Sequence, residues 1–167
     1  MKRRAVLVAL LLSSCLAADL QWTARLETGS TPPGAIVLER NAETAILLCR
    51  AWLDDRNLHP GITSGDVCAI PQKGVVEKLS VFEIAVGGRA AWSAGRWEDA
   101  VKVGRQGPVD LYFCRAPIRA GNVAVGWAYG KAYREGPHAG HCYVGFQGRE
   151  VGLSENFELF STATDSR

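Results

Sequence analysis

Several absences narrow the reading of this chain before anything else does. Its 167 residues include three histidines and one methionine. No segment repeats an apolar residue every three or four positions over three turns, so little helix is expected. Past the first seventeen residues, no apolar run is long enough to span a bilayer. There is no nucleophile elbow, no phosphate loop and no histidine–carboxylate pair at a motif spacing, so nothing points to an enzyme. "PHAGHC" sets His138 and His141 beside Cys142. A structural zinc site asks for four ligands in two paired spacings, and the one further histidine is His59. No metal and no cofactor is expected.

A surplus of one charge is also missing from the body of the chain. "MKRRAVLVALLLSSCLA" has a basic start (Lys2, Arg3, Arg4), a short apolar stretch from Ala5 to Leu12, and small residues leading to Ala17. That layout predicts a signal peptide over residues 1–17, cleaved after Ala17. "LSSC", Leu12 to Cys15, also fits a lipobox, which in a bacterium would leave Cys15 as a lipid-anchored first residue. The leader's three bases outweigh the net +2 of the whole chain. The apparent basicity is therefore a targeting feature and implies no nucleic-acid partner. A secreted, extracellular protein is the expectation.

The leader removed, four cysteines remain: Cys49, Cys68, Cys114 and Cys142. An even count in a secreted chain favours disulfides, with buried thiols as the other reading. Two of the four stand in the same word, "LLCRA" at Leu47 and "YFCRA" at Tyr112. The match extends outward in fixed order. "GAIVLER" and "DAVKVGR" precede the words; "DVCAIPQKG" and "HCYVGFQGRE", then "VFEIAV" and "NFELFS", follow. Trp22 and Trp92 open the two copies. The chain thus reads as one unit over 18–86, a second over 87–161, and a tail over 162–167.

Each copy is strand-like. "AIVLER", "AILLCR", "VDLYFCR" and "HCYVGF" are rich in β-branched and aromatic residues, and glycine-containing joints separate them. "AETAILLCRAWLDDR" could be claimed for a helix, but its counterpart "GPVDLYFCRAPIRAG" carries Pro117 and glycine at both ends. Alternation puts Tyr112 and Cys114 on one face of their strand and Leu111 and Phe113 on the other, both apolar, so both sides should be covered. The expected fold is all-β: two tandem antiparallel repeats packed about a pseudo-two-fold axis, barrel- or sandwich-like. All three pairings of the four cysteines are compatible with that axis. Pairing within each copy closes the shorter loops and is preferred.

The order of words resembles the DM-nine repeat family. Its unit runs from a tryptophan through P-x-G-A-V, L-Y-V-x-R-A, P-G-K and C-Y-V to Y-E-V-L. Here "PPGAIVLER", "LLCRA", "HPG", "CAIP" and "VFEIAV" follow that order, and "DAVKVG", "LYFCRA", "HCYVGFQGREV" and "NFELF" repeat it, so the resemblance covers Trp22 to Phe160. It implies a compact antiparallel β fold and a role in innate defence, with mannose-type sugars bound by some members. Natterin-like fish toxins join such repeats to a pore-forming module, for which no chain is left over here. Sugar-binding members use an acid after the G-A-V strand and the lysine of P-G-K. Carried onto this chain, the acid falls on Asn41 and Gln106 and the lysine on Ile62 and Trp127. Neither charged residue is kept.

For a neutral sugar, planar hydrogen-bonding groups and an aromatic platform are the useful chemistry. "GNVAVGWAYGKAYREG", Gly121 to Gly136, is where the second copy is longer than the first. The expected contacts are Asn41, Gln106 and Asn122 as polar groups, Trp127 and Tyr129 as platform, and Lys131 or Arg134 as a positive rim. The other reading of Trp127 and Tyr129 is inward-facing core. A lectin-like recognition protein with a glycan partner is the leading expectation. A protein-interaction or structural component is the alternative, and a homodimer is compatible with either.

Overall fold

A computed structural model describes residues 20–25 and 30–163. The expected signal peptide, Cys15 and most of the expected tail lie outside the described residues. Among those described there is no helix, as the missing helical period predicted. The first half contributes β1 (Gln21–Ala24), β2 (Val37–Arg40), β3 (Ala45–Trp52), β4 (Asn57–Thr63), β5 (Cys68–Gln72), β6 (Val75–Leu79) and β7 (Glu83–Val86). The second contributes β8 (Arg89–Ala94), β9 (Lys102–Gln106), β10 (Val109–Ala120), β11 (Val123–Tyr133), β12 (His141–Phe146), β13 (Arg149–Leu153) and β14 (Glu158–Ala163). β14 runs to Ala163, past residue 162, where the tail was expected to start.

Eight strands close an antiparallel barrel in the order β4, β5, β6, β13, β12, β11, β10, β9 and back to β4. The other strands lie outside the ring. β3 pairs β4, β7 and β2, while β1 pairs β7. β14 pairs β10, and β8 pairs β14. Closure hides edges that two small sheets would leave open.

Hairpin geometry follows from short words. Lys73–Gly74 and Gln147–Gly148 turn β5 into β6 and β12 into β13 with positive φ at both central residues (50° and 85°; 50° and 77°). That is the conformation of two-residue hairpins whose twist suits the flanking strands. Where the two hairpins meet, Val75 pairs with Arg149. Val76 N donates to Gly148 O at 3.0 Å, and Glu150 N donates to Gly74 O at 3.2 Å.

Strand register recurs between the halves. Cys49 faces Gly61 and Ile84 as Cys114 faces Gly130 and Leu159. Arg50 Nε lies 2.5 Å from Glu83 Oε2, with its guanidinium 4.0 Å above Trp22. Arg115 Nε lies 2.7 Å from Glu158 Oε2, with its guanidinium 4.3 Å above Trp92. The disulfides are Cys49–Cys68 and Cys114–Cys142. Such bonds belong to oxidising compartments.

The alternation read along β10 holds. Tyr112 and Cys114 pack with Ala128, Cys142 and Leu159, whereas Phe113 packs on the other face with Ile36, Leu48, Tyr129 and Phe160. A third cluster joins Leu47, Cys49, Cys68, Ile70, Phe82 and Ile84 around the first disulfide.

Candidate functional site

On β11 the side chains of Tyr129, Lys131 and Tyr133 alternate to one face. All three are buried. Tyr129 is the last of the apolar plug and stacks on Phe113 at 5.9 Å with rings 6° apart. Its hydroxyl donates to Glu39 Oε2 at 3.3 Å, and burial, then the Glu39 carboxylate, push its pKa up to about 12. Beyond it the face becomes polar and opens into a cavity of about 210 Å³. The buried Lys131 and Tyr133, the exposed Lys73 and His138, and the half-buried Gln72, Gln106, Tyr143 and Glu150 line it.

Lys131 is only 2 % exposed. Its Nζ donates to Pro71 O at 2.7 Å and to Gln72 Oε1, ion-pairs with Glu150 Oε2 at 3.1 Å, and lies 3.4 Å from His59 Nδ1. Burial lowers the lysine pKa, while Glu150 pulls it back toward the charged form. His59 is fully buried, and burial followed by the Lys131 ammonium drives its pKa down to about 3. The imidazole is therefore neutral. Its Nε2 meets no partner among the described residues.

Above this floor, apart from Lys73, the lining offers hydrogen-bonding groups and aromatic faces. The Tyr133 hydroxyl donates to Gln106 Oε1 at 2.7 Å, and burial, then Glu150, raises its pKa. His138 Nδ1 lies 2.8 Å from the Tyr143 hydroxyl. Tyr133 and Tyr143 meet edge to face at 5.7 Å, with His138 against both.

Of the expected contacts, the cavity brings together Gln106 and Lys131, and the lysine forms the floor where a rim was expected. The others lie elsewhere. Asn41 Oδ1 holds a turn, accepting from Glu43 N at 3.1 Å and Thr44 N at 2.7 Å. Asn122 sits at the exposed tip between β10 and β11, its carbonyl accepting from Arg119. Tyr129 is core and no platform, because its parity on β11 turns it into the barrel. Trp127 is half-buried under the Arg115 guanidinium, 3.8 Å from its ring. Arg134 is exposed and does not line the cavity.

Register also moves the lysine of the P-G-K word. Ile62 faces Leu48 next to the Cys49–Gly61 pair, and Lys131 faces Phe113 next to Cys114–Gly130. Ile62 therefore corresponds to Lys131, and Trp127 to Leu58. The displaced alignment came from the lengthened β10–β11 hairpin, which shifts the words without altering the pairing. Glu150, Tyr143, Gln72 and His138 were missed as contacts. Their signal is tertiary, since β5, the β11–β12 loop, β12 and β13 each supply one.

A second cavity of about 210 Å³ lies on another part of the surface, lined by Ile118, Ala128, Val144, Phe146, Val151 and Leu153. Apart from Arg119 it offers no charged side chain. No protein-family model matches the chain, and no curated protein matches it.

Proposed function

We propose that this is a secreted sugar-binding protein, built from two tandem copies of one β unit about a pseudo-two-fold axis. The cavity floored by Lys131 and Glu150 takes one hydroxyl-rich unit of a glycan. One observation carries the reading: a charged pair is kept buried at the foot of a cavity open to water. A buried ion pair adds little to stability compared with apolar residues of similar size, so its retention calls for another reason. Hydroxyls both donate and accept. A carboxylate and an ammonium side by side satisfy both roles, and the four acceptors around the three protons of Lys131 let an incoming oxygen replace the half-buried Gln72 amide.

Tyr143, Tyr133 and His138 supply faces for C–H surface, and Gln106 supplies an amide. The volume lies below the roughly 300–1,000 Å³ typical of drug-sized sites, which favours a single small polar unit. Lys131 stands at the lysine position of the P-G-K word and Gln106 at the acidic position, so the DM-nine resemblance and the geometry converge on this cavity. Neither residue needs a chemical step, and we read the protein as a binder without catalysis.

A glycan array with the mature protein tests this. Binding by the wild type, lost in Lys131→Met and weakened in Tyr143→Ala, is the expected result. No glycan retained at any concentration of protein up to the high micromolar range, or binding untouched by both variants, rejects the site. The alternative of a protein-interaction component has its own support in the exposed Phe146 and Val151 of the apolar groove. A partner captured from the source fluid, insensitive to added sugar and lost in Phe146→Ser, would favour it.

A further inference from the structure

We infer that the ligand pocket occurs once per chain, because the duplicate position is built of apolar residues and closed, which makes the protein a monovalent receptor. The inference rests on the duplication and glycan readings above.

Strand register fixes the correspondence. In the second half, Phe113 faces Lys131, Gly145 faces Glu150 and Tyr143 faces Gly152. In the first, Leu48 faces Ile62, Pro71 faces Val76 and Ala69 faces Lys78. Lys131, Glu150 and Tyr143 thus correspond to Ile62, Val76 and Ala69. Each of these three groups has an apolar counterpart, while Gln106 keeps a polar one in Asn41. That duplicate position is also filled. Ile62 packs against the cluster of Ile36, Leu48, Phe113 and Tyr129. Val76 lies so close to Gly145 that a methyl group there would stand 3.1 Å from Val76 Cγ2.

The contrast shows what each arrangement is for. The first copy uses the apolar solution that a barrel wall needs. The second replaces it with a buried ammonium, a carboxylate beside it and an opening to water, against His59 of the first copy. Carriage of a charged pair in one copy alone fits a site held for a ligand, since the same backbone is satisfied by Ile and Val. A chain with one site cannot cross-link two glycans. Agglutination, if it occurs, requires a second copy of the chain.

The test copies the first half onto the second. Amide NMR titrations of the whole mature protein use the methyl glycosides of mannose, glucose, galactose and N-acetylglucosamine. In the wild type, shifts should cluster at Gln72, Lys131, His138, Tyr143 and Glu150 and none at Ile62, Ala69 or Val76. In Lys131→Ile with Glu150→Val all shifts should vanish, with Tm equal to or above that of the wild type. If that variant fails to fold, Tyr143→Ala, which repeats Ala69 and strands no charge, should abolish or weaken binding at least ten-fold. A second set of shifts around Ile62 and Val76, binding that survives in the double variant, or binding weakened less than ten-fold in Tyr143→Ala, overturns the single-site inference and leaves sugar binding standing. No shift at either place with any glycoside overturns the glycan reading and this inference with it.

Discussion

Val75 pairs with Arg149 across the seam between the two hairpins, and each stands immediately after the glycine of its own turn. The contact is self-matching: Val76 N to Gly148 O and Glu150 N to Gly74 O are the same hydrogen bond made twice. It also ties the cavity-lining Glu150 to the turn of the opposite half, since Glu150 Oε1 accepts from Gly74 N at 3.2 Å.

Gly74 and Gly148 therefore carry both halves. Alanine at either would sit at positive φ, where an L-residue is disfavoured by about 1–2 kcal/mol. Gly74→Ala and Gly148→Ala should each lower the denaturant midpoint without changing m. An unchanged midpoint in both would show that the seam contributes nothing.

Gly130 answers to a close approach. A Cβ there would lie 1.8 Å from Tyr143 O, whereas at Gly126, four residues back on the same strand, the nearest atom would be 3.9 Å away. Gly130→Ala should prevent folding or remove most of the stability, and Gly126→Ala should be tolerated. Circular dichroism melts of the two variants decide it, and similar melts would mean that β11 and β12 are not this close.

Arg115 differs from Arg50 in having two indoles. Its guanidinium lies 4.3 Å from Trp92 and 3.8 Å from Trp127, while Arg50 has Trp22 alone at 4.0 Å. At about 0.5–1 kcal/mol for a cation over an aromatic face, Arg115→Ala should cost more than Arg50→Ala by roughly that amount. Urea titrations read the difference. Equal losses would assign both arginines to their glutamate partners alone.

His59 predicts how stability responds to acid. Its folded pKa is depressed to about 3 by burial and by Lys131, against about 6.5 for an unfolded histidine. The unfolded state then binds more protons between these values. Stability is full above about pH 6.5 and falls as pH drops toward 3, by at most about 1.4 kcal/mol per pH unit. His59→Gln should flatten that slope, and an identical slope would place the acid sensitivity elsewhere.

The cysteine bridges close loops of 19 and 28 residues. Loss of either by paired Cys→Ala substitution should cost about 2–4 kcal/mol. Non-reduced peptide mapping should recover Cys49 with Cys68 and Cys114 with Cys142, and a crossed pairing would refute the described connectivity.

Composition and the order of repeated words were enough for an all-β chain, for the strands around "LLCRA" and "YFCRA", and for the preferred cysteine pairing. Those are local matters: side-chain period, turn formers and loop length are written along the chain. The eight-stranded closure was not legible, because it depends on β9 crossing onto β4 and on one pairing between β6 and β13. Nor was the pocket. Lys131 and Gln106 were singled out from the sequence, but Tyr129 and Trp127 were read as platform when strand parity and Arg115 had already committed them. Glu150, Tyr143 and Gln72 carry no local mark, since only the closing of the barrel brings β5, β11, β12 and β13 around one space. Sequence determined which segments extend and which face of each is apolar. Tertiary structure decided which polar side chains share a cavity, because burial of a charge beside its partner is a property of the closed ring and of no single strand.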